Sequence, residues 1–457
     1  MERIIVLSDI HADLHAFIIS MRDCAQVIKK KDGFVFNQNI DDNDLERLLR
    51  INLNDIPNEY IQDLNYEWIA DNTTVVIVGD MIDGYRPGYT SINWAKNYLQ
   101  LEIKLLLFIN KLNQLATAKN SRVIKVLGNH EFMNMAEVKR EEEHRSKFIF
   151  PEDFEKGNNY YKGQSRLCCF RPEFTKGIPG EGFKLLMEGG AYVFYEINNN
   201  FFVHGSLEKG RDKKYYEDMN KELKINPTAV IIQNTFNPAI DPNQTSMAWD
   251  RRYGKTKNIN RRLEEKNTSY CNDIKEDLKT LTGDEEVYKY RVFVGHCIQS
   301  ESTIEDQKNT TFTKIAQDPT KPFIEMIEPP ARSGIADPNS NFLFGMTMEC
   351  HKTDELNDHY LYHVDIGSSR GFDVDDIIIT GKYLEKRHLY SRTPQVIEIY
   401  NNNKNVRIIR STMKNTRIHQ PRIEYEAWTS TVPELRLSTY QKYLKYKRKY
   451  LKLKNLI

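Results

Sequence analysis

Short, unbroken apolar runs separated by long polar stretches set the rhythm of the chain. Ile4 to Leu7 (IIVL), Val75 to Val78 (VVIV) and Val123 to Leu127 (VIKVL) predict buried strands. Leu101 to Leu112 (LEIKLLLFINKL) instead repeats apolar residues at helical spacing with charges between them, which predicts a core-facing helix. Later apolar strands are expected through Val364 and from Val396 to Ile399. The fold class is α/β.

Polar residues crowd the ends of these strands. SDIHAD (Ser8 to Asp13), VGDMID (Val78 to Asp83), LGNHEF (Leu127 to Phe132), VHGS (Val203 to Ser206) and VGHC (Val294 to Cys297) all follow this rule, and WDRR (Trp249 to Arg252) precedes the last. In α/β sheets the carboxyl ends of strands are where ligands gather, because the loops there vary over a rigid support. Asp9, His11, Asp80, Asn129, His204 and His296 are all oxygen or imidazole donors, a set suited to Mn, Fe or Zn. Six donors are too many for one catalytic ion with open positions. Two divalent metal ions roughly 3.5 Å apart, sharing Asp80 as a bridge, would use them all and leave room for a hydroxide and a substrate oxygen.

The spaced set D-x-H, GDxxD, GNHE, H and GH, running from about Ile4 to Cys297, resembles the calcineurin-like metallophosphoesterases, and most closely the phosphoprotein phosphatases. Gly295-His296 is followed by Cys297-Ile298, as in the phosphatase version of the last motif. The resemblance implies a β-sandwich of two mixed sheets flanked by helices, with helical and loop insertions. It implies that Asp9, His11 and Asp80 hold one metal, and that Asp80, Asn129, His204 and His296 hold the other. His130 matches the family's general acid and Asp83 the carboxylate that orients it. Such an imidazolium can protonate a leaving alkoxide, worth about 10² to 10⁴ in rate. Glu131 reads as an orienting or structural group.

Departures from the eukaryotic pattern point to members of bacterial type. GDxHG and GDxxDRG are replaced here by a motif with Ser8 and Ala12 and by Gly84-Tyr85-Arg86 after Asp83. The phosphate-binding guanidinium is therefore expected from Arg251, in a segment resembling the W-x-R of bacterial-type members, or from Arg86 in a longer loop. His363 and Asp365, in HYLYHVDIGSSRG, resemble the late strand and turn of the same group, and equally suit a plain strand-turn. His15 reads as a helix-face residue, and His351 and His359 as surface or core residues.

The 457 residues are 40% hydrophobic and 28% charged, which suits one large enzyme domain over about residues 1–400, with insertions at about 29–71, 139–188 and 208–289. Loops of that length usually frame substrates or partners. Residues 401–437 read as terminal strands or a linker. The six cysteines show no C-x-x-C spacing, so no disulfide framework is expected and a reducing compartment is the simpler inference. No signal peptide is expected, because Asp9 interrupts the apolar start, and no run of 18 apolar residues suggests a membrane span. Together these imply a cytoplasmic location, in a host cytoplasm or virion if the source is viral.

Residues 438–457 differ in kind, with six Lys, one Arg and no acid, while the rest of the chain carries 58 basic against 64 acidic residues. Tyr440, Tyr443, Leu444, Tyr450 and Leu451 share helical spacing, so this basic tail reads either as an amphipathic helix for an acidic partner, nucleic acid or membrane surface, or as a plain solvated helix. KYLKYKRKYLKLK resembles a C-terminal motif recurring in otherwise unrelated proteins of giant DNA viruses, which would make it a docking tag. The expected activity is hydrolysis of a phosphorylated protein or small phosphoester, with phosphoserine or phosphothreonine favoured. A phosphodiesterase, a dinucleoside polyphosphate hydrolase and an inactive binding or virion-associated protein stay open.

Overall fold

Ile4 and Val6 lie in one hydrophobic core of the computed structural model, and Ile5 and Leu7 in the other. Both faces of the strand are covered, which is why the run is continuous rather than alternating. Val76 and Val78 divide from Val75 and Ile77 in the same way, and Ile124 and Val126 from Val123. The first set shares its core with Phe202, Phe293 and Tyr362 of a second sheet, and the second set with Phe17, Leu105, Phe108 and Leu112 of the helices. Burying each such side chain is worth about 1.5–3 kcal/mol.

The structure describes residues 2–30, 66–84, 92–136, 169–173, 178–235, 246–253, 269–296, 312–315, 324–327, 347–351, 359–365, 379–380, 383–384 and 394–411. Arg86, the tail from 438 to 457 and most of the first two insertions lie outside them. By compactness the chain divides into Met1–Gln420 and Pro421–Ile457, and the second unit is likewise outside the described residues.

Eight strands make the larger sheet, in the order β10 (Phe312–Ile315), β11 (Ile324–Ile327), β17 (Asn405–Ser411), β16 (Gln395–Tyr400), β1 (Arg3–Leu7), β4 (Thr73–Val78), β5 (Arg122–Val126) and β6 (Ala191–Tyr192). From β1 to β6 the neighbours are parallel, and β16 joins β1 antiparallel, with Ile4 opposite Ile399. The second sheet runs β12 (Thr347–His351), β13 (His359–His363), β9 (Arg291–Val294), β8 (Asn200–Val203) and β7 (Phe194–Ile197), with β13, β9 and β8 parallel. Two small pairs complete the described strands: β2 (Ile28–Lys30) with β3 (Tyr66–Trp68), and β14 (Ile379–Thr380) with β15 (Tyr383–Leu384). Mixed sheets with flanking helices are the architecture expected from the sequence.

The helix predicted around Leu101 to Leu112 spans Ile92–Thr117 and buries Leu105, Leu106, Phe108, Ile109 and Leu112. A short helix, Leu14–Ile19, begins where Asp13 accepts the Ala16 N–H at 3.1 Å. His11 precedes it, as expected. In the third insertion, expected to be helical or looped, the described residues form three α-helices, Lys213–Ile225, Pro227–Thr235 and Ser269–Thr282. Tyr216, Met219 and Leu223 supply the buried stripe of the first, and Tyr216 stacks on Phe194 of β7 at 4.5 Å. The insertion therefore covers a sheet.

The cysteine expectation needs correcting. Cys24 and Cys169 are buried thiols, whereas Cys271, on the helix Ser269–Thr282, is disulfide-bonded to Cys350 of β12. The two lie 79 residues apart, so no local spacing announces the bond. No described helix is long and apolar enough to cross a membrane.

Candidate metal centre

Strands of both sheets deliver their ends to one place. β1, β4 and β5 end just before Asp9, Asp80 and Asn129, while β8 and β9 end before His204 and His296, and all five residues are buried. The chain turns there through left-handed backbone, with φ of 51° at Asp9, 45° at His11, 52° at Asp80 and 62° at both Asp83 and His296. Non-glycine residues adopt such angles at a cost of order 1–3 kcal/mol, when the surroundings hold them. Two glycines make the close approach possible: a Cβ on Gly79 (φ 83°) would collide with the His204 ring, and one on Gly128 with the Asp80 carboxylate.

Backbone carbonyls fix the imidazoles. His11 Nδ1 donates to Ile82 O at 3.0 Å and His204 Nδ1 to Val78 O at 2.8 Å, since a carbonyl can only accept. Each Nε2 is thereby turned into the site. His11 Nε2 lies 3.8 Å from Asp9 Oδ1 and 3.7 Å from Asp80 Oδ2, and His204 Nε2 lies 3.2 Å from Asp80 Oδ1 and 3.0 Å from Asn129 Oδ1. Two groups, His11 with Asp80 and His130, and Asp80 with His204 and His296, each hold one donor atom per residue within 4.8 Å of the others. Asp80 belongs to both groups. A residue shared between two ions has to stand in that position.

The electrostatics of the protein alone call for cations here. Burial pushes Asp9 well above the usual carboxylate range, with Asp365 and Asp80 adding to the effect. Asp80 is held well below that range: burial opposes ionisation, but His204, His130 and His11 outweigh it. His204 is pushed up to about 10, against its own burial, by Asp80 and Asp9. Burial and then the Arg251 charge depress His296. Buried carboxylates persist only when paired or metal-bound, so the donor set fits divalent ions, with the His204 imidazolium standing where one would bind.

A model of the family described as calcineurin-like phosphoesterase matches residues 2–259. The chain belongs to the calcineurin-like phosphoesterases. It is thus a metal-dependent phosphoric ester hydrolase of a family that uses two metal ions. No curated protein matches this phosphoesterase. Among solved structures, it is similar to a cold-active protein-tyrosine phosphatase of a psychrophilic Shewanella species, at 11% identity and a TM-score of 0.42, over 88% of this chain and 76% of that one. A cold-active protein tyrosine phosphatase structure at 1.1 Å gives the same identity and TM-score, over 89% and 78%.

Around the cluster, His130 Nδ1 lies 3.0 Å from Asp83 Oδ2 and His130 Nε2 3.8 Å from Asp80 Oδ2. Glu131 is wholly buried, and its carboxylate accepts the backbone N–H groups of Gly128, Asp80, Met81 and Ile82 at 2.7 to 3.2 Å. It joins the loops after β4 and β5. Burial, then Asp80, lifts its pKa to about 7.

The two arginines of WDRR separate. Arg251 is exposed and donates from Nε to His296 Nε2 at 2.9 Å, whereas Arg252 is held by Leu207 O, by Asp250 and by Asp277 at 3.0 Å. Asp365 is buried and acts electrostatically on Asp9, and His363 is fully buried. Side chains of His15, His351 and His359 lie outside the described residues, as does Arg86.

Sequence reading missed Asn134, Glu102 and Asp277. Asn134 donates to Asp83 Oδ2 at 2.6 Å, and Glu102 accepts the Asp83 N–H at 2.9 Å. For Asn134 a signal existed, because it follows His130 by four residues on one helix, Asn129–Met135, and so shares its face. Glu102 and Asp277 carry no local signal.

Proposed function

We propose that this protein hydrolyses phosphomonoesters, with the phosphoserine or phosphothreonine side chain of a protein as the favoured substrate. The observation that carries the reading is the His130–Asp83 pair, 3.0 Å apart and buried at the edge of the Asp80-centred cluster. An acid placed there serves a leaving alkoxide, whose expulsion is hard without a proton.

In this reading Asp9, His11 and Asp80 hold one divalent ion of the Mn, Fe or Zn type, and Asp80, Asn129, His204 and His296 hold the other. When bound, the ions polarise the phosphoryl oxygens and activate the attacking water. Arg251, an exposed guanidinium beside His296, meets the remaining phosphoryl charge. Asp83 orients the His130 ring so that Nε2 faces the leaving oxygen. Glu131 keeps the two ligand loops in register through its four N–H contacts. The basic tail acts in docking rather than in catalysis, so deleting residues 438–457 leaves hydrolysis unchanged.

The test is hydrolysis by the manganese-loaded protein of an aryl phosphate monoester and a phosphoserine peptide, beside an aryl diester and a dinucleoside polyphosphate. Faster turnover of the monoester and the peptide is expected. Preference for the diester or the polyphosphate would move the assignment to those classes, and no turnover at all would favour a binding protein.

A further inference from the structure

Asp83 is fully buried and turns through a left-handed backbone, at φ 62°. Its backbone N–H is held by Glu102 Oε1 at 2.9 Å, from the long helix Ile92–Thr117. Among the described residues, its Oδ2 meets His130 Nδ1 at 3.0 Å and Asn134 Nδ2 at 2.6 Å. The same Asn134 amide also reaches His130 O at 2.8 Å. Both partners of Nδ2 accept, so only the nitrogen of the amide can stand there.

This geometry bears on the acid. A carboxylate torsion is broad and nearly two-fold when nothing holds it. Sharing Oδ2 between Asn134 and His130 removes that freedom and fixes the oxygen that meets the imidazole. Because Asn134 and His130 lie one turn apart on one helix, the amide and the ring move together.

We propose that Asn134 is a positioning residue for the acid step, holding Asp83 Oδ2 so that His130 presents its other nitrogen to the leaving group. The inference rests on His130 being the general acid. Asn134 touches neither substrate nor metal in this scheme, and acts through Asp83.

Leaving-group dependence separates this role from a merely structural one. Asn134→Leu and His130→Asn are compared with the unaltered protein, all manganese-loaded, on phenyl phosphate and on 2,4-dinitrophenyl phosphate, whose leaving group departs without a proton. For Asn134→Leu the expected result is a fall in kcat of about 10- to 100-fold on phenyl phosphate, with little change on the dinitrophenyl ester, in KM or in metal content. Should the Leu variant not fold, the isosteric Asn134→Asp, which sets a second carboxylate against Asp83, gives the same selective loss. An equal loss on both esters, or none, while His130→Asn remains selective, overturns the role of Asn134 alone. If His130→Asn also shows no selectivity, the general-acid reading falls and this inference with it.

Discussion

Arg251 donates from Nε to His296 Nε2 across 2.9 Å, pairing an exposed cation with a buried imidazole. The contact uses a lone pair that a metal-bound His296 cannot offer. If Nε2 takes the metal its lone pair is spent, and if Nδ1 does, Nε2 carries the proton. In the proposed reading, loading the site would therefore free Arg251 for the phosphate. Arg251→Ala is expected to bind Mn²⁺ at least as tightly as the unaltered protein, because this competition is gone. It should also weaken inhibition by inorganic phosphate about 10- to 100-fold, the worth of a charge-assisted hydrogen bond. Calorimetric metal titration and phosphate inhibition constants measure the two effects, and weaker metal binding would contradict the exchange.

Asp80 is the residue both donor groups share. Asp80→Asn removes the bridging charge and the main attraction on His204. Metal content is expected to fall below two per chain, and hydrolysis by about 10² to 10³ or more. Elemental analysis after desalting, with a steady-state assay, checks this. Two retained ions with full activity would refute a shared ligand.

Metal affinity should climb with pH. His204 is pushed up to about 10, so near neutrality its imidazole is protonated before metal enters, and binding must expel that proton. Below that value each unit of pH raises the apparent affinity about tenfold for this one proton, and the gain ends once His204 is neutral. Titrations in buffers of different ionisation enthalpy count the protons released. A pH-independent affinity with no release would contradict the pairing of His204 with Asp80.

Lys125 provides a pH test outside the site. Its buried Nζ donates to Asn110 Oδ1 at 2.7 Å, Leu185 O at 2.9 Å and Glu188 O at 2.6 Å, closing the end of the helix Glu181–Met187, and burial pushes its pKa down from 10.5 to about 7. Between those values the unfolded chain holds a proton that the folded chain lacks, so this group's contribution to stability rises with pH from about 7 to about 10.5. The neutral amine that the folded chain holds above about 7 keeps two N–H donors for these three acceptors, so Lys125→Met leaves two of them without a donor and costs about 1–3 kcal/mol at alkaline pH, and less near neutrality. Urea unfolding of both proteins across that range measures the difference. Parallel pH profiles would show that Lys125 does not titrate there.

The amino-acid sequence determined the strands and the chemistry at their ends. An apolar run such as Ile4 to Leu7 specifies a doubly covered strand by itself, and Asp9, Asp80 and His204 follow their strands within one or two residues. Those couplings are local, so they survive in a linear reading. What the tertiary structure alone decided joins distant segments: β16 against β1, Asn134 with Asp83 over 51 positions, Arg251 with His296 over 45, and Cys271 with Cys350 over 79. A side chain's donors and acceptors are legible one residue at a time. Which of them meet depends on how sheets and helices pack, and packing is set by the whole chain at once.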